Sequence, residues 1–251
     1  MHTRRKIIFY LLLSISVSTN SKIIPFNENY DDMKTANSGK GLNDLAKKKW
    51  KVTGKVFDYK SSSEKIFPGN YLYYYGKWFP APNNASGSFS GIGRDSFNDK
   101  NHFLNIFSDY NNRGAHEKGL IVNAIFAKEF KISKKDINKT IQFNFDAKRP
   151  EKINYGSDYD YSQAVGNACN NICIANAFIR ILDPKNNWAI SNYDLKDNTN
   201  LSQSEWSNHT LKLKINEGHE GHILQVGFET YATGDDNTGV YYDNVSLKII
   251  D

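Results

Sequence analysis

Thr140-Ile141-Gln142-Phe143-Asn144-Phe145-Asp146 alternates apolar and polar residues without a break. Successive side chains of a strand point to opposite faces, so the stretch predicts a strand with one face buried and the other wet. Leu211-Lys212-Leu213-Lys214-Ile215 and Val245-Ser246-Leu247-Lys248-Ile249 repeat the alternation. Outward from these, strands are expected at 50–58, 71–78, 103–108, 120–131, 140–147, 175–182, 209–215, 222–231 and 241–249, with turn residues between them. Helical periodicity is confined to a turn or two at 42–49. Strands in series without helices between them predict an all-β sandwich of two antiparallel sheets rather than βαβ units. Long connections are expected at 80–85, 109–119, 148–174 and 190–204. Rigid sandwiches place function on such loops or on one sheet face.

The 251 residues are 39% hydrophobic and 14% aromatic, enough to bury a core, and two cysteines are too few for a disulfide-stapled miniprotein. No apolar run is long enough to span a bilayer as a helix. Arg4-Arg5-Lys6 stand directly before an apolar stretch at 7–15 and the small-residue tripeptide Ser16-Val17-Ser18. That is the pattern of a signal peptide over 1–18, so a secreted or periplasmic protein is expected, by the general or the twin-arginine route. The same three cations supply most of the formal net charge of +5. With them removed nothing demands a phosphate backbone, and no nucleic-acid partner is expected. Residues 19–41, rich in Ser, Asn, Lys and Asp, are expected to form a flexible leader, and 42–251 a single sandwich domain.

Phe130-Lys131-Ile132, followed by the alternating run 139–148 and by Phe178-Ile179-Arg180-Ile181-Leu182-Asp183-Pro184, resembles consecutive strands of galactose-binding-like jelly rolls. Leu224-Gln225-Val226-Gly227-Phe228-Glu229 and Gly239-Val240-Tyr241-Tyr242-Asp243-Asn244-Val245-Ser246-Leu247 are similar to the closing strand pair of carbohydrate-binding modules of that fold. The resemblance covers roughly 42–250. It implies an antiparallel β-sandwich of jelly-roll type, an oligosaccharide or polysaccharide partner, and a structural calcium held in part by Asp243. Such modules open with an Asn-Gly-x-Phe-Glu-like strand whose acidic residue shares that ion. Gly41-Leu42-Asn43-Asp44-Leu45 matches it poorly, which leaves Asp243 without an assigned partner.

Sugar recognition needs flat aromatic faces, together with carboxamides and carboxylates that bond hydroxyls. The densest aromatic run is Tyr71-Leu72-Tyr73-Tyr74-Tyr75-Gly76-Lys77-Trp78-Phe79-Pro80. Alternation puts Tyr71, Tyr73 and Tyr75 on one face, and Tyr73, Tyr75 and Trp78 are the expected stacking residues, although packing on both faces fits the pattern equally. Trp188 is a further candidate, while Trp50 and Trp206 are expected to anchor the core or loops. In Ser108-Asp109-Tyr110-Asn111-Asn112-Arg113, Asp109 and Asn111 are expected to bond sugar hydroxyls; turn chemistry accounts for the same residues.

The run 234–239 reads as a turn rather than a calcium loop, and His219-Glu220-Gly221-His222 as a hairpin tip rather than a zinc site. Cys169 and Cys173 are expected to form a small disulfide in an exported chain. No nucleophile elbow, Walker loop or paired-carboxylate strand is present, so no catalytic residue is assigned. These readings converge on an exported, non-catalytic carbohydrate-binding protein. Two alternatives stand beside it: a structural or adhesive envelope protein that binds other proteins, and a polysaccharide lyase or hydrolase on the same fold. The oligomeric state is not written in these patterns.

Overall fold

A computed structural model of the chain describes residues 22–33, 44–62, 65–78, 90–94, 100–108, 120–149, 173–233 and 239–250. Its elements in order are β1 (Phe26–Glu28), a one-turn helix α1 (Asp44–Lys47), β2 (Lys51–Ser62), β3 (Lys65–Trp78), β4 (Ser90–Arg94), β5 (His102–Ile106), β6 (Ile121–Lys131), β7 (Thr140–Lys148), β8 (Cys173–Asp183), β9 (Ala189–Asp197), β10 (Ser207–Lys214), β11 (Ile223–Thr233) and β12 (Val240–Ile250). One sheet runs β10-β7-β12-β5-β4 with β1 added to β12, and the other runs β3-β2-β6-β11-β8-β9. Every pairing is antiparallel. The expected all-β sandwich of jelly-roll type is the fold.

Burial in β7 alternates residue by residue, as its sequence predicts, so Ile141, Phe143, Phe145 and Ala147 face inward. The opposite sheet answers with Phe126, Ile179, Leu224 and Phe228, all in the buried core. The Phe228 ring stacks on Tyr242 at 3.6 Å and 16° and meets Phe145 edge-on at 5.5 Å. Trp50, fully buried, stacks on Phe126 at 4.5 Å. Each such pair adds about 0.5–1.5 kcal/mol beyond the area it hides. Trp50 is thus a core anchor, and Trp206 packs edge-on against Phe103 at 5.8 Å on the outside of the first sheet.

The flexible leader expected at 19–41 needs correcting over its described part, 22–33. Phe26, Asn27 and Glu28 pair with Leu247, Ser246 and Val245, and Ile23, Tyr30 and Met33 are buried. Glu28 forms a buried ion pair with Lys128 and accepts a hydrogen bond from Trp50 Nε1 at 2.6 Å. The Lys128 ammonium also lies 4.0 Å from the centre of the Phe26 ring. Burial lowers the Lys128 pKa, against the opposing charge and hydrogen bond of Glu28. A three-residue strand is too short to show alternation, and its anchor is a carboxylate that composition counts as surface. Residues 1–21 and 34–43 lie outside the described residues.

Two further strands differ from the sequence reading. The stretch 91–95 reads as a glycine turn, yet Gly91, Ile92 and Gly93 belong to β4. A side chain at Gly93 would stand 2.4 Å from the Phe103 ring, so the missing Cβ is what lets that ring lie against the strand. β9 falls largely within the loop expected at 190–204. It is an edge strand exposed or half-exposed along its whole length, and no buried face marks it in the sequence.

Candidate functional site

In β11, Leu224, Val226 and Phe228 point into the core, which turns Gln225, Gly227, Glu229 and Tyr231 to the outer face. The register fixes their neighbours. Gln225 lies between Glu129 of β6 and Arg180 of β8, Gly227 between Ala127 and Phe178, and Glu229 between Ile125 and Asn176. Tyr193 and Leu195 of β9 continue the rows beyond Arg180 and Phe178, and Lys51 of β2 stands beside Ala127.

These side chains join in one polar strip. Lys51 Nζ is 2.7 Å from Glu129 Oε2, and Gln225 Nε2 donates to Glu129 Oε1 at 2.8 Å. Arg180 Nε donates to Gln225 Oε1 at 2.7 Å, and its Nη1 lies 3.2 Å from Glu229 Oε2. Asn176 Nδ2 donates to Glu229 Oε1 at 3.4 Å, and the guanidinium lies 4.0 Å above the Phe178 ring. An outward sheet face is ordinarily solvated, yet Glu229 is only 5% and Gln225 8% exposed. Charges held so deep persist only when paired, which explains why carboxylates and cations alternate along the strip. Burial pushes the Tyr231 phenol well above its ordinary pKa; the Glu229 charge adds to this and Arg180 opposes it.

The residues beneath these groups are apolar and buried. Phe178 is 1% and Ala127 3% exposed, and Gly227 stands between them. A Cβ at Gly227 would sit 2.0 Å from the Phe126 carbonyl oxygen, a contact that only backbone movement relieves. Gly227→Ala is therefore expected to destabilise the fold by about 2 kcal/mol, measured by urea denaturation. At the two edges of the sheet large apolar groups are open to solvent: Tyr193 at 65% and Leu195 at 43% on one, Tyr71 at 39% and Leu72 at 44% on the other.

The expected stacking residues lie on β3, at the second edge. Tyr73 pairs with Val56 and Trp78 with Val52, both core positions of β2, while Tyr71 pairs with Phe57. Register shifts lie on either side of the Lys55–Tyr74 and Val56–Tyr73 pairs, and Tyr75 falls at one of them. Asp109, Asn111 and Cys169 lie outside the described residues. Cys173 opens β8, is buried, and is not a free thiol. Trp188 sits in the β8–β9 turn with a left-handed φ of 61°, uncommon for a bulky side chain.

Asp243 lies on the outer face of the other sheet, across from Asp146, where a bulge between Asp243 and Ser246 interrupts β12. Asn244 takes a left-handed φ of 49° there, and its N–H donates to Asp243 Oδ1 at 2.7 Å. Asp146 accepts from Asn208 Nδ2 and Asn244 Nδ2, each at 2.8 Å. Burial pushes the Asp243 carboxyl up to about 7; the Asn244 N–H opposes this, and the charges of Asp31 and Asp146 add to it. Asp31 comes from the N-terminal segment and accepts the His102 N–H at 3.0 Å, tying that segment to β5. Tyr30, at φ 64°, is fully buried with no partner for its hydroxyl among the described residues, and burial, Glu28 and Asp243 all raise its pKa.

His219 and His222 flank the turn between β10 and β11, their rings 5.8 Å apart. His219 Nδ1 accepts the Asn216 N–H at 3.0 Å, which is turn chemistry. His222 lies 3.5 Å from Asp183 and 3.4 Å from Ser191, but the Ser191 hydroxyl donates to the Ile181 carbonyl, so these three groups clamp the β8–β9 pair. Among the described residues no group of three or more His, Cys, Asp or Glu side chains is placed to hold a metal ion. No helix among them is long and apolar enough to cross a membrane.

The strip on the second sheet was not assigned from sequence, where Glu229 stands only within the stretch that resembles a closing strand. The signal was present: Gln225 and Glu229, like Asn176 and Arg180, are four apart on strands and therefore share a face. What the sequence lacks is the register that lays these pairs side by side.

No family model matches the chain, and no curated protein matches it. Solved structures do. A cyclase from Fischerella sp. TAU in complex with 4-(1H-indol-3-yl)butan-2-one is similar at 10% identity and a TM-score of 0.42, over 91% of this chain and 98% of that one. The CBM22-1 xylan-binding domain of Paenibacillus barcinonensis Xyn10C is similar at 8% identity and a TM-score of 0.38, over 90% and 94%. The enzymatically active domain of bacteriophage CBA120 tailspike protein 4 is similar at 12% identity and a TM-score of 0.40; 86% of this chain is covered, but it spans only 21% of that protein.

Proposed function

We propose that this is an exported protein that binds a glycan without cleaving it, on the outer face of the β3-β2-β6-β11-β8-β9 sheet. The observation that carries the reading is the Lys51-Glu129-Gln225-Arg180-Glu229-Asn176 strip, a continuous hydrogen-bonding surface sunk in a sheet face and flanked at both edges by exposed apolar groups. Hydroxyl-rich ligands take this combination of fixed donors and acceptors beside ring faces. Glu129 and Glu229 are each already matched by a cation, which supports binding rather than proton transfer. Tyr73, Tyr75 and Trp78 would extend the surface along β3, with Asp109 and Asn111 as hydroxyl partners. The signal peptide at 1–18 would direct export, and a Cys169–Cys173 disulfide would pin the connection before β8. Electrophoresis of the mature protein through gels containing single polysaccharides tests the reading: retardation by at least one is expected, and none by any of them contradicts it.

The resemblance also implies a structural calcium. Asp243 and Asp31 supply hard oxygen donors and negative charge, with the Tyr30 hydroxyl, without a partner among the described residues, close enough to Asp243 to feel its charge, which fits calcium better than a soft-ligand metal. Backbone carbonyls and water would complete the shell, and the ion would neutralise carboxylates that otherwise repel. In chelator, Asp243 binds its proton more tightly folded than unfolded. Its contribution to stability is then complete below its ordinary value of 3.8 and is lost as pH rises through about 7. Asp243→Asn is expected to flatten this fall in thermal melts taken in chelator, and to abolish the rise in Tm that added calcium gives the unaltered protein. An equal calcium response in both proteins contradicts the assignment.

A further inference from the structure

We infer that the ligand of this face is an uncharged polysaccharide, and that the Tyr193 ring is its stacking surface beside the Arg180-Gln225-Glu129 row. The inference rests on the glycan-binding reading and names its class and contact. Charge decides the class. Lys51 is 2.7 Å from Glu129 and Arg180 3.2 Å from Glu229, so both cations of the strip are matched by carboxylates within the protein. A polyanion needs a surplus of positive charge; here it meets two carboxylates, and drawing a cation toward it leaves a buried carboxylate unpaired. An uncharged hydroxylated ring imposes neither cost. It meets the part-exposed Glu129 carboxylate and Arg180 guanidinium with hydroxyls that both donate and accept, and the ion pairs stay intact.

Position decides the stacking residue. Tyr193 is directly opposite Arg180 in the β8–β9 register and is 65% exposed, the most open large apolar side chain among the described residues. Adjacent strands lie about 4.8 Å apart, so a ring resting on Tyr193 has its edge hydroxyls at the guanidinium and at Gln225 one strand further in. Leu195, next on the same face and opposite Phe178, extends the apolar side of the contact.

The test uses the mature protein with soluble xylan, galactan and mixed-linkage glucan as uncharged probes and polygalacturonate and alginate as anionic ones, at low and high sodium chloride. The expected result is binding to an uncharged probe that changes by less than about twofold with salt. Tyr193→Ala is expected to weaken that binding by about tenfold, and Tyr193→Phe to retain it. Binding to an anionic probe that collapses with salt overturns the uncharged class and leaves glycan binding standing. Uncharged binding indifferent to Tyr193→Ala and to Gln225→Ala overturns the assigned contact and moves the surface toward β3. Binding to no probe overturns the glycan reading itself, and this inference with it.

Discussion

Glu28→Ala is expected to destabilise the protein by about 3–5 kcal/mol, the largest effect of any single substitution considered. The carboxylate is 6% exposed and is the ion-pair partner of Lys128, itself 6% exposed, as well as the acceptor for the Trp50 indole N–H at 2.6 Å. Truncation leaves an ammonium group in an aromatic pocket formed by Phe26 and Trp50 and strands a buried donor. The substitution also unfastens β1, which holds only three residue pairs with β12. Replacing Lys128 by Met in the same chain removes the orphaned charge, and the double variant is expected to recover much of the loss. Urea denaturation of both variants measures it. An additive double variant would show that the pair does not act as a unit.

Arg180→Ala is expected to cost about 3 kcal/mol and to weaken glycan binding by at least roughly tenfold. Its guanidinium bridges Gln225 to Glu229, and without it Glu229 keeps, among the described residues, only the 3.4 Å bond from Asn176. Stability and recognition are separable through Arg180→Lys. A lysine supplies a point charge for Glu229 but not the planar fork that also bonds Gln225. It is expected to restore most of the stability while leaving affinity low. Affinity restored together with stability would mean that the arginine matters only to the fold.

The sheets were legible where one face is buried and the other wet. Residues 140–146 announce β7 because the core demands every second residue. The same logic fails for β9, whose two faces are both open, and for β4, whose Gly93 makes room for Phe103. β1 was hidden for a third reason: its contribution is a buried ion pair formed across 100 residues of sequence, between Glu28 and Lys128.

Within the candidate site, the aromatic density of 71–80 is visible in the sequence, but the register shifts between β2 and β3 are not. The polar strip is made of ordinary residues. Gln225, Arg180 and Glu129 become a surface only when β6, β11 and β8 are laid side by side. Asp243 was readable as a candidate ligand, whereas its neighbour Asp31 was lost with the stretch taken for a leader.

Amide chemical-shift mapping of the mature protein, titrated with an oligosaccharide cut from whichever polysaccharide retards it, addresses the central claim most directly. Perturbations concentrated at 176–180, 193–195 and 225–231 are the expected result, because those backbones carry the strip and its rim. Perturbations confined to β7, β10 and β12 would place recognition on the opposite sheet and contradict the account.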